Sequence, residues 1–84
     1  MNSKQTKLKK SILSPPTPKN ITYKEIHSLL LNLGCKLDEG AGSRLTYSKD
    51  KNLLQFHKPH PENTLKSYVI LKIREFLLQL GEKP

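Results

Sequence analysis

Several residue types and patterns that define common protein classes are missing from this chain of 84 residues. Its single cysteine, Cys35, excludes an intramolecular disulfide and a zinc site built from four thiolates. The longest apolar runs, residues 29–31 and 69–71, are far shorter than the roughly 20 residues that a membrane span requires. No apolar stretch of about 7–15 residues follows the basic N-terminus, so a secretory signal is not expected. One small domain in the cytoplasm is the expectation that remains.

Acidic residues are also scarce. Seven Asp and Glu stand against fifteen Lys and Arg, which gives a formal net charge of +8. None of the seven acids lies in residues 1–20, although five of the lysines do. Such an excess of positive charge favours a polyanionic partner, above all nucleic acid, although surplus lysine also keeps proteins soluble.

The first twenty residues combine their lysines with Pro15, Pro16 and Pro18. This composition predicts a disordered, basic, proline-containing arm over residues 1–20. The arm could tether the protein electrostatically to RNA or to an acidic partner, or it could be an unstructured leader. The folded domain is expected to cover residues 21–82.

Two helices are indicated by capping residues and by apolar stripes. Thr22 and Glu25 have the spacing of a capping box, and the apolar residues that follow predict a helix over residues 23–33. Asn63 or Thr64 can cap a second helix, whose apolar positions keep the same period up to residue 80.

Three strands are indicated between the helices, because apolar and polar residues alternate from residue 35 to residue 57. Their connections are short, so we expect an antiparallel meander. The predicted fold is α+β with the order α-β-β-β-α: a three-stranded antiparallel sheet that carries both helices on one face.

The third strand leads into residues 56–61, Phe-His-Lys-Pro-His-Pro, which we call the histidine loop. It places two imidazoles, His57 and His60, beside the ammonium group of Lys58 on a loop stiffened by proline. Histidine exchanges a proton near neutral pH, so this set suits phosphodiester cleavage, and it also suits simple anion binding. Alternatively, His57 could point inward as a core histidine.

Other histidine roles are less favoured. His57 and His60 could ligate a metal together with Cys35 or a carboxylate, but proline interrupts their spacing and a second ligand pair is missing. We therefore predict no metal site. His27 lies on the flank of the first predicted helix, and we expect it to be a solvated surface residue without a chemical role.

The order of the elements, the Gly42-Ser43 pair, the histidine loop and the closing residues 73–81 together resemble the HicA toxin family. The resemblance covers residues 22–81. It implies a fold similar to double-stranded RNA-binding domains and an mRNA interferase, which is an RNA endonuclease that needs no metal or other cofactor. It also implies a cognate HicB antitoxin that silences the toxin.

One residue departs from the family pattern. A histidine commonly follows the Gly-Ser pair in the family and is its presumed catalytic residue, whereas this chain has Arg44. Arginine cannot act as a general base at neutral pH. Either the chain uses its surviving histidines for catalysis, or it is a non-catalytic RNA-binding or protein-interaction module.

The site prediction follows from the loop and the resemblance. His57 and His60 are the predicted catalytic residues. We expect His57 to lie close to Arg44, since antiparallel neighbours meet end to start. The predicted RNA-binding residues are Ser43, Arg44, Lys58, Lys66 and Arg74. The aromatic residues, Tyr68 among them, are spaced mostly like core residues, so no stacking platform for bases is predicted.

Overall fold

A computed structural model describes residues 2–83, over which the chain forms three α-helices and three β-strands. The bounds are α1 Ser3–Leu13, α2 Tyr23–Asn32, β1 Lys36–Glu39, β2 Arg44–Lys49, β3 Asn52–His57 and α3 Ser67–Gln79. The strands form one antiparallel sheet in the order β1-β2-β3. The predicted α+β fold and the order α-β-β-β-α, here α2 to α3, are therefore confirmed.

Helix α2 begins at the predicted capping box. The Thr22 hydroxyl accepts a hydrogen bond from the backbone N–H of Glu25 at 3.2 Å, and the Glu25 carboxylate accepts one from the backbone N–H of Thr22 at 3.0 Å. At the other end Gly34 has a φ of +92°, a left-handed conformation that glycine adopts without strain. The Lys49 ammonium donates to the carbonyl of Leu33 at 2.6 Å, so β2 helps to satisfy the end of the helix.

The two faces of the sheet differ because side chains alternate along each strand. Leu45 and Tyr47 of β2 and Leu54 and Phe56 of β3 are buried on the inner face. They form one core with the apolar residues of all three helices. The residues between them therefore point to the outer face, which none of the three helices formed by residues 2–83 covers.

Helix α3 begins at Ser67, two or three residues later than the predicted caps at Asn63 or Thr64 would place it. Asn63 and Thr64 are instead used in extended pairing with the entry to α2. The carbonyl of Asn63 accepts from the N–H of Tyr23 at 2.8 Å, and Thr64 forms a bridge with Thr22. A chain held in extended pairing cannot also begin a helix, so the helix starts after this bridge.

The prediction of a disordered arm over residues 1–20 is wrong for most of its length, because Ser3–Leu13 form α1. Leu8, Ile12 and Leu13 are buried in the common core. The Lys9 ammonium pairs with the Glu82 carboxylate at 3.0 Å, which ties α1 to the residues that follow α3. The arm prediction also included Met1, which lies outside the described residues.

Over residues 2–83, no helix combines the length and the apolar character that a membrane crossing needs.

Candidate active site

His57 lies at the end of β3 and is exposed on the outer face of the sheet. Its orientation follows from the alternation of the strand, because Leu54 and Phe56 fill the inner positions. The alternative of an inward-pointing core histidine is therefore wrong.

Arg44 is the residue directly opposite His57 in the β2–β3 ladder, as the antiparallel arrangement predicts. The backbone N–H of Lys58 donates to the carbonyl of Ser43 at 2.8 Å, so Ser43 and Lys58 are a hydrogen-bonded pair. Arg44 and His57, the next pair along, are then of the non-hydrogen-bonded type, in which opposite Cα atoms approach to about 4.5 Å. The Ser43 hydroxyl also lies 3.4 Å from Nδ1 of His57. Four of the predicted site residues thus meet at one end of the sheet.

The guanidinium of Arg44 extends over Gly40, on the β1 side of the site. A Cβ atom at position 40 would lie 2.8 Å from Nε of Arg44, closer than carbon and nitrogen can approach. Gly40 therefore leaves the space that this side chain occupies. The sequence alone does not reveal this contact between Gly40 and Arg44, because it depends on the register of the strands.

The histidine loop and the start of α3 enclose an open groove of about 280 Å³, which we call the histidine groove. His57, Lys58 and His60 line it from the loop, and Lys66 and Tyr68 line it from the start of α3. Both histidines are exposed, as are both lysines. The structure thus brings four of the predicted residues to one concave surface, where a phosphate would meet imidazole and ammonium groups together.

The first residue of α2 and the residues just before the helix contact the histidine loop and its C-terminal end. The Lys58 ammonium lies 5.4 Å from the ring centroid of Tyr23, within the range of a cation–π interaction. The N–H of Leu65, just beyond the loop, donates to the carbonyl of Ile21 at 2.8 Å. The loop is therefore anchored on both sides of His60.

Arg74 does not join the other predicted RNA-binding residues. It is half-buried, and its Nε donates to the carbonyl of Ile12 at 2.6 Å. Its side chain therefore contacts α1, whereas Lys66 lies at the start of α3 and lines the histidine groove. A sequence separation of eight residues places two side chains on roughly one side of a helix, but it does not reveal that a further helix covers one of them.

Tyr68 and Glu62 line the histidine groove and were missed by the sequence interpretation. Tyr68 was counted among residues spaced like core, yet 63% of its surface is exposed. The helical period distinguishes Tyr68 from the core residues. Position 68 lies about 100° around the helix axis from the middle of the stripe formed by Leu65, Val69 and Ile73. Its ring is available to stack on a base.

His27 is not the fully solvated residue that we expected. It is half-buried, and its Nδ1 lies 2.9 Å from the hydroxyl of Tyr47, a core residue of β2. Burial is the main cause that raises the pKa of the Tyr47 phenol above its usual value, so the phenol stays protonated at neutral pH. This pair joins α2 to the sheet from within the core and lies outside the histidine groove.

The arrangement of Cys35 does not suit a metal site with the histidines. Cys35 precedes β1 at the end of the sheet where Lys36 pairs with Ser48, whereas His57 lies at the opposite end. Burial raises the pKa of the Cys35 thiol, which disfavours the thiolate that a metal would need. Among residues 2–83, no three His, Cys, Asp or Glu side chains group as metal ligands would.

Together these features define a small, basic α+β domain that exposes imidazole and ammonium groups in a groove at one end of its sheet. Residues 23–81 match the model of the family described as HicA toxin of bacterial toxin-antitoxin. Because the match covers well over half of the chain, this protein belongs to the HicA toxin family, and the resemblance predicted over residues 22–81 is confirmed. Membership indicates a toxin of a toxin–antitoxin system, with an antitoxin as its partner. No curated protein and no solved structure gives a significant match, and α1 lies outside the matched residues.

Proposed function

We propose that this toxin is an mRNA interferase that cleaves RNA in the cytoplasm without a metal, using His57 and His60. The observation that carries the proposal is that both imidazoles line one open groove together with Lys58 and Lys66. Family membership supports the toxin role, and the net charge of +8 supports a polyanionic substrate.

The reaction is an internal transfer at phosphorus. One imidazole takes the proton from a 2′-hydroxyl, and the 2′-oxygen forms a bond to the adjacent phosphorus. The bond from phosphorus to the 5′-oxygen breaks, and the second imidazole, in its protonated form, gives a proton to that leaving oxygen. The products are a 2′,3′-cyclic phosphate and a 5′-hydroxyl, so atoms and protons balance without water or metal.

The cationic side chains stabilise the crowded, doubly negative phosphorane of this reaction. Lys58 and Lys66 line the groove itself, and Arg44 lies beside His57 in the ladder. Ser43 orients the imidazole of His57 through its hydroxyl. Arg74 is left out of this set because its guanidinium contacts α1.

A second function, RNA binding without cleavage, is favoured by one observation. Arg44 occupies the position that follows Gly42-Ser43, where the resemblance implies a catalytic histidine. Arginine binds phosphate well but takes no proton at neutral pH. In this alternative, the histidine groove binds RNA or a protein partner and leaves the phosphodiester bonds intact.

Cleavage of a labelled RNA in the presence of EDTA tests both functions. We expect a 2′,3′-cyclic phosphate product, and we expect either His57→Ala or His60→Ala to slow cleavage by about 10²–10⁴-fold, the usual contribution of a general acid or base. Lys51→Ala, an exposed lysine in the turn at the far end of the sheet, is the matched control and should cleave normally.

The outcomes separate the two functions. Binding of RNA by the wild type without any cleavage would favour the non-catalytic module. In cells, growth arrest that disappears in a folded His60→Ala protein supports catalysis, whereas arrest that persists points to binding or to another residue.

The antitoxin that family membership implies is, in this proposal, a HicB-type protein that covers the histidine groove. Protein interfaces need an apolar centre with a polar rim. Tyr68 and Leu71, which are 63% and 46% exposed, supply apolar surface on α3 beside the groove. We expect Tyr68→Ala to weaken binding of the HicB-type protein, with Leu31→Ala on α2, where 45% of the side chain is exposed, as the control. Equal effects of both substitutions would contradict this placement.

A further inference from the structure

Helix α1 has two opposite faces, only one of which is used by the fold. Leu8 and Ile12 lie one turn apart and are buried against α2 and α3. Lys7 and Lys10 lie on the other side of the helix, whereas Lys4, one turn before Leu8, lies beside the buried face; all three are exposed. The helix is thus amphipathic, and every charged residue on its exposed side is a lysine.

The charge of this outer face is not neutralised by the protein. Residues 2–20 contain no acid. Among residues 2–83 the ion pair that forms is that of Lys9 with Glu82, and Lys9 lies at the edge of the buried face. Lys4, Lys7 and Lys10 form no ion pair among residues 2–83 and are spread over about 9 Å of helix at a rise of 1.5 Å per residue. Lys4 lines a separate groove together with Glu25 of α2, whereas Lys7 and Lys10 have no carboxylate beside them in the groove that they line.

Hydroxyl groups lie next to these charges. Lys7 and Lys10 line an open groove of about 440 Å³ between α1 and the proline-containing segment that follows it. Ser11, Ser14 and Thr17 line the same groove, and no carboxylate does. Lysine and hydroxyl side chains are groups that proteins use to bind phosphate oxygens.

We propose that the outer face of α1 and this groove form a second binding surface for the phosphate backbone of RNA. We call it the α1 basic surface and define it by Lys4, Lys7, Lys10, Ser11 and Ser14. The inference rests on the proposed RNA substrate and deepens it, since it assigns RNA contacts to residues outside the family-matched range 23–81.

RNA fits this surface better than a protein does. The centre of a protein interface is apolar and depleted in lysine. The large apolar side chains exposed among residues 2–83 are Leu31, Leu53, Tyr68, Leu71 and Leu78, none of which belongs to α1 or the segment after it. A surface of lysines and hydroxyls without an apolar centre matches a phosphate backbone, in which charge recurs about every 3.4 Å along a stacked strand.

The α1 basic surface is connected to the histidine groove by a short stretch of chain. Pro18 lines the groove between α1 and the proline-containing segment. The carbonyl of Ile21, three residues later, accepts a hydrogen bond from the N–H of Leu65. Leu65 also lines the histidine groove. Three residues span at most about 10 Å, so the two grooves are separated by only a short stretch of chain in a molecule whose longest extent is 33 Å.

The test measures equilibrium binding of a labelled 2′-O-methyl RNA, which cannot be cleaved, by fluorescence anisotropy at several salt concentrations. The variant Lys4→Gln/Lys7→Gln/Lys10→Gln should flatten the slope of log affinity against log salt by about 2, since each phosphate contact contributes about 0.7. The matched control, Lys36→Gln/Lys51→Gln/Lys83→Gln, removes the same three charges from exposed positions elsewhere. The slope of the control should differ from that of the wild type by less than about 0.7, which is the contribution of a single phosphate contact.

A Lys→Arg variant at positions 4, 7 and 10 keeps the charge and should restore the slope, which separates charge from folding. The proposal would be overturned if the glutamine variant and its control showed the same decrease in the slope of log affinity against log salt. It would also be overturned by a glutamine variant that binds RNA normally but loses affinity for poly-L-glutamate, because the surface would then suit an acidic protein. Since no cleavage is measured, a protein that fails to cut RNA still gives a clear answer here.

Discussion

Two segments of this chain have similar compositions but opposite roles in the structure. Residues 2–20 and residues 58–66 are both rich in lysine and proline. The first places Leu8, Ile12 and Leu13 in the core, whereas the second buries Leu65 alone and leaves its charged side chains exposed. The difference shows that overall composition does not decide whether a basic segment folds onto the domain, because that depends on apolar residues that other elements of the fold cover.

The comparison also separates stability from chemistry. The α1 segment stabilises the fold through its buried apolar residues, the ion pair of Lys9 with Glu82, and the Ile12 carbonyl, which accepts a hydrogen bond from Arg74. The histidine groove contributes exposed imidazole and ammonium groups. Substitutions of the buried residues of the first segment should therefore change the free energy of unfolding, and substitutions of the exposed histidines of the second should change activity.

The largest effect on stability is expected from Ile12→Ala. Ile12 is fully buried, so its truncation should lower the free energy of unfolding by about 2–5 kcal/mol through lost apolar contact and the cavity left behind. Urea denaturation measures the change. Lys10→Ala on the exposed face of α1 is the matched control and should stay within about 0.5 kcal/mol of the wild type. If the two variants were equally stable, α1 would not be packed in solution, and the predicted arm would be correct after all.

The failure of the arm prediction has a physical cause. A helix of 11 residues is marginal in isolation, so composition and local pattern gave little reason to expect one. What stabilises α1 comes from far along the chain: Glu82 pairs with Lys9, and Arg74 donates to Ile12. Local periodicity contains no information about such distant partners, although Leu8 and Ile12 do have helical spacing.

A smaller effect is expected from Arg74→Ala, which removes the hydrogen bond from α3 to the carbonyl of Ile12. A half-buried carbonyl left without its donor costs about 1–3 kcal/mol, so the melting temperature should fall by several degrees. RNA affinity should change little, because Arg74 faces α1. Lys66→Ala should give the reverse result, with stability retained and RNA affinity reduced. A loss of RNA affinity in a stable Arg74→Ala protein would restore Arg74 to the binding set.

Thr22→Ala should lower the free energy of unfolding by a smaller amount. Thr22 lies just after the first segment and pairs with Thr64 of the second. Thr22 caps α2 and forms a bridge with Thr64, next to the histidine groove. Loss of the capping hydroxyl typically costs about 1 kcal/mol. Thr22→Ser keeps that hydroxyl and should be close to the wild type in thermal unfolding. A Thr22→Ser protein as unstable as Thr22→Ala would show that the methyl group, and not the cap, is important.

The sequence predicted the neighbours of His57 in the sheet better than it predicted the N-terminal segment, for physical reasons. Alternation along β3 and an antiparallel connection suffice to place His57 opposite Arg44. The space that Gly40 leaves for Arg44 and the exposure of Tyr68 depend on register and on helix packing, which only the folded chain defines. Prediction therefore succeeded where neighbours in space are determined by a short turn, and it failed where they come from separate helices.

The smallest effect on stability is expected from the double variant His57→Ala/His60→Ala. Both imidazoles are exposed, and the contact of His57 with the Ser43 hydroxyl is long, at 3.4 Å. Exposed substitutions away from caps and core usually change stability by less than about 0.5 kcal/mol, which corresponds to a shift in melting temperature of about 2–4 °C for a domain of this size. RNA cleavage measured on the same preparation should be abolished. A large drop in melting temperature would mean that the histidines hold the loop in place, and the loss of cleavage could then no longer be attributed to proton transfer.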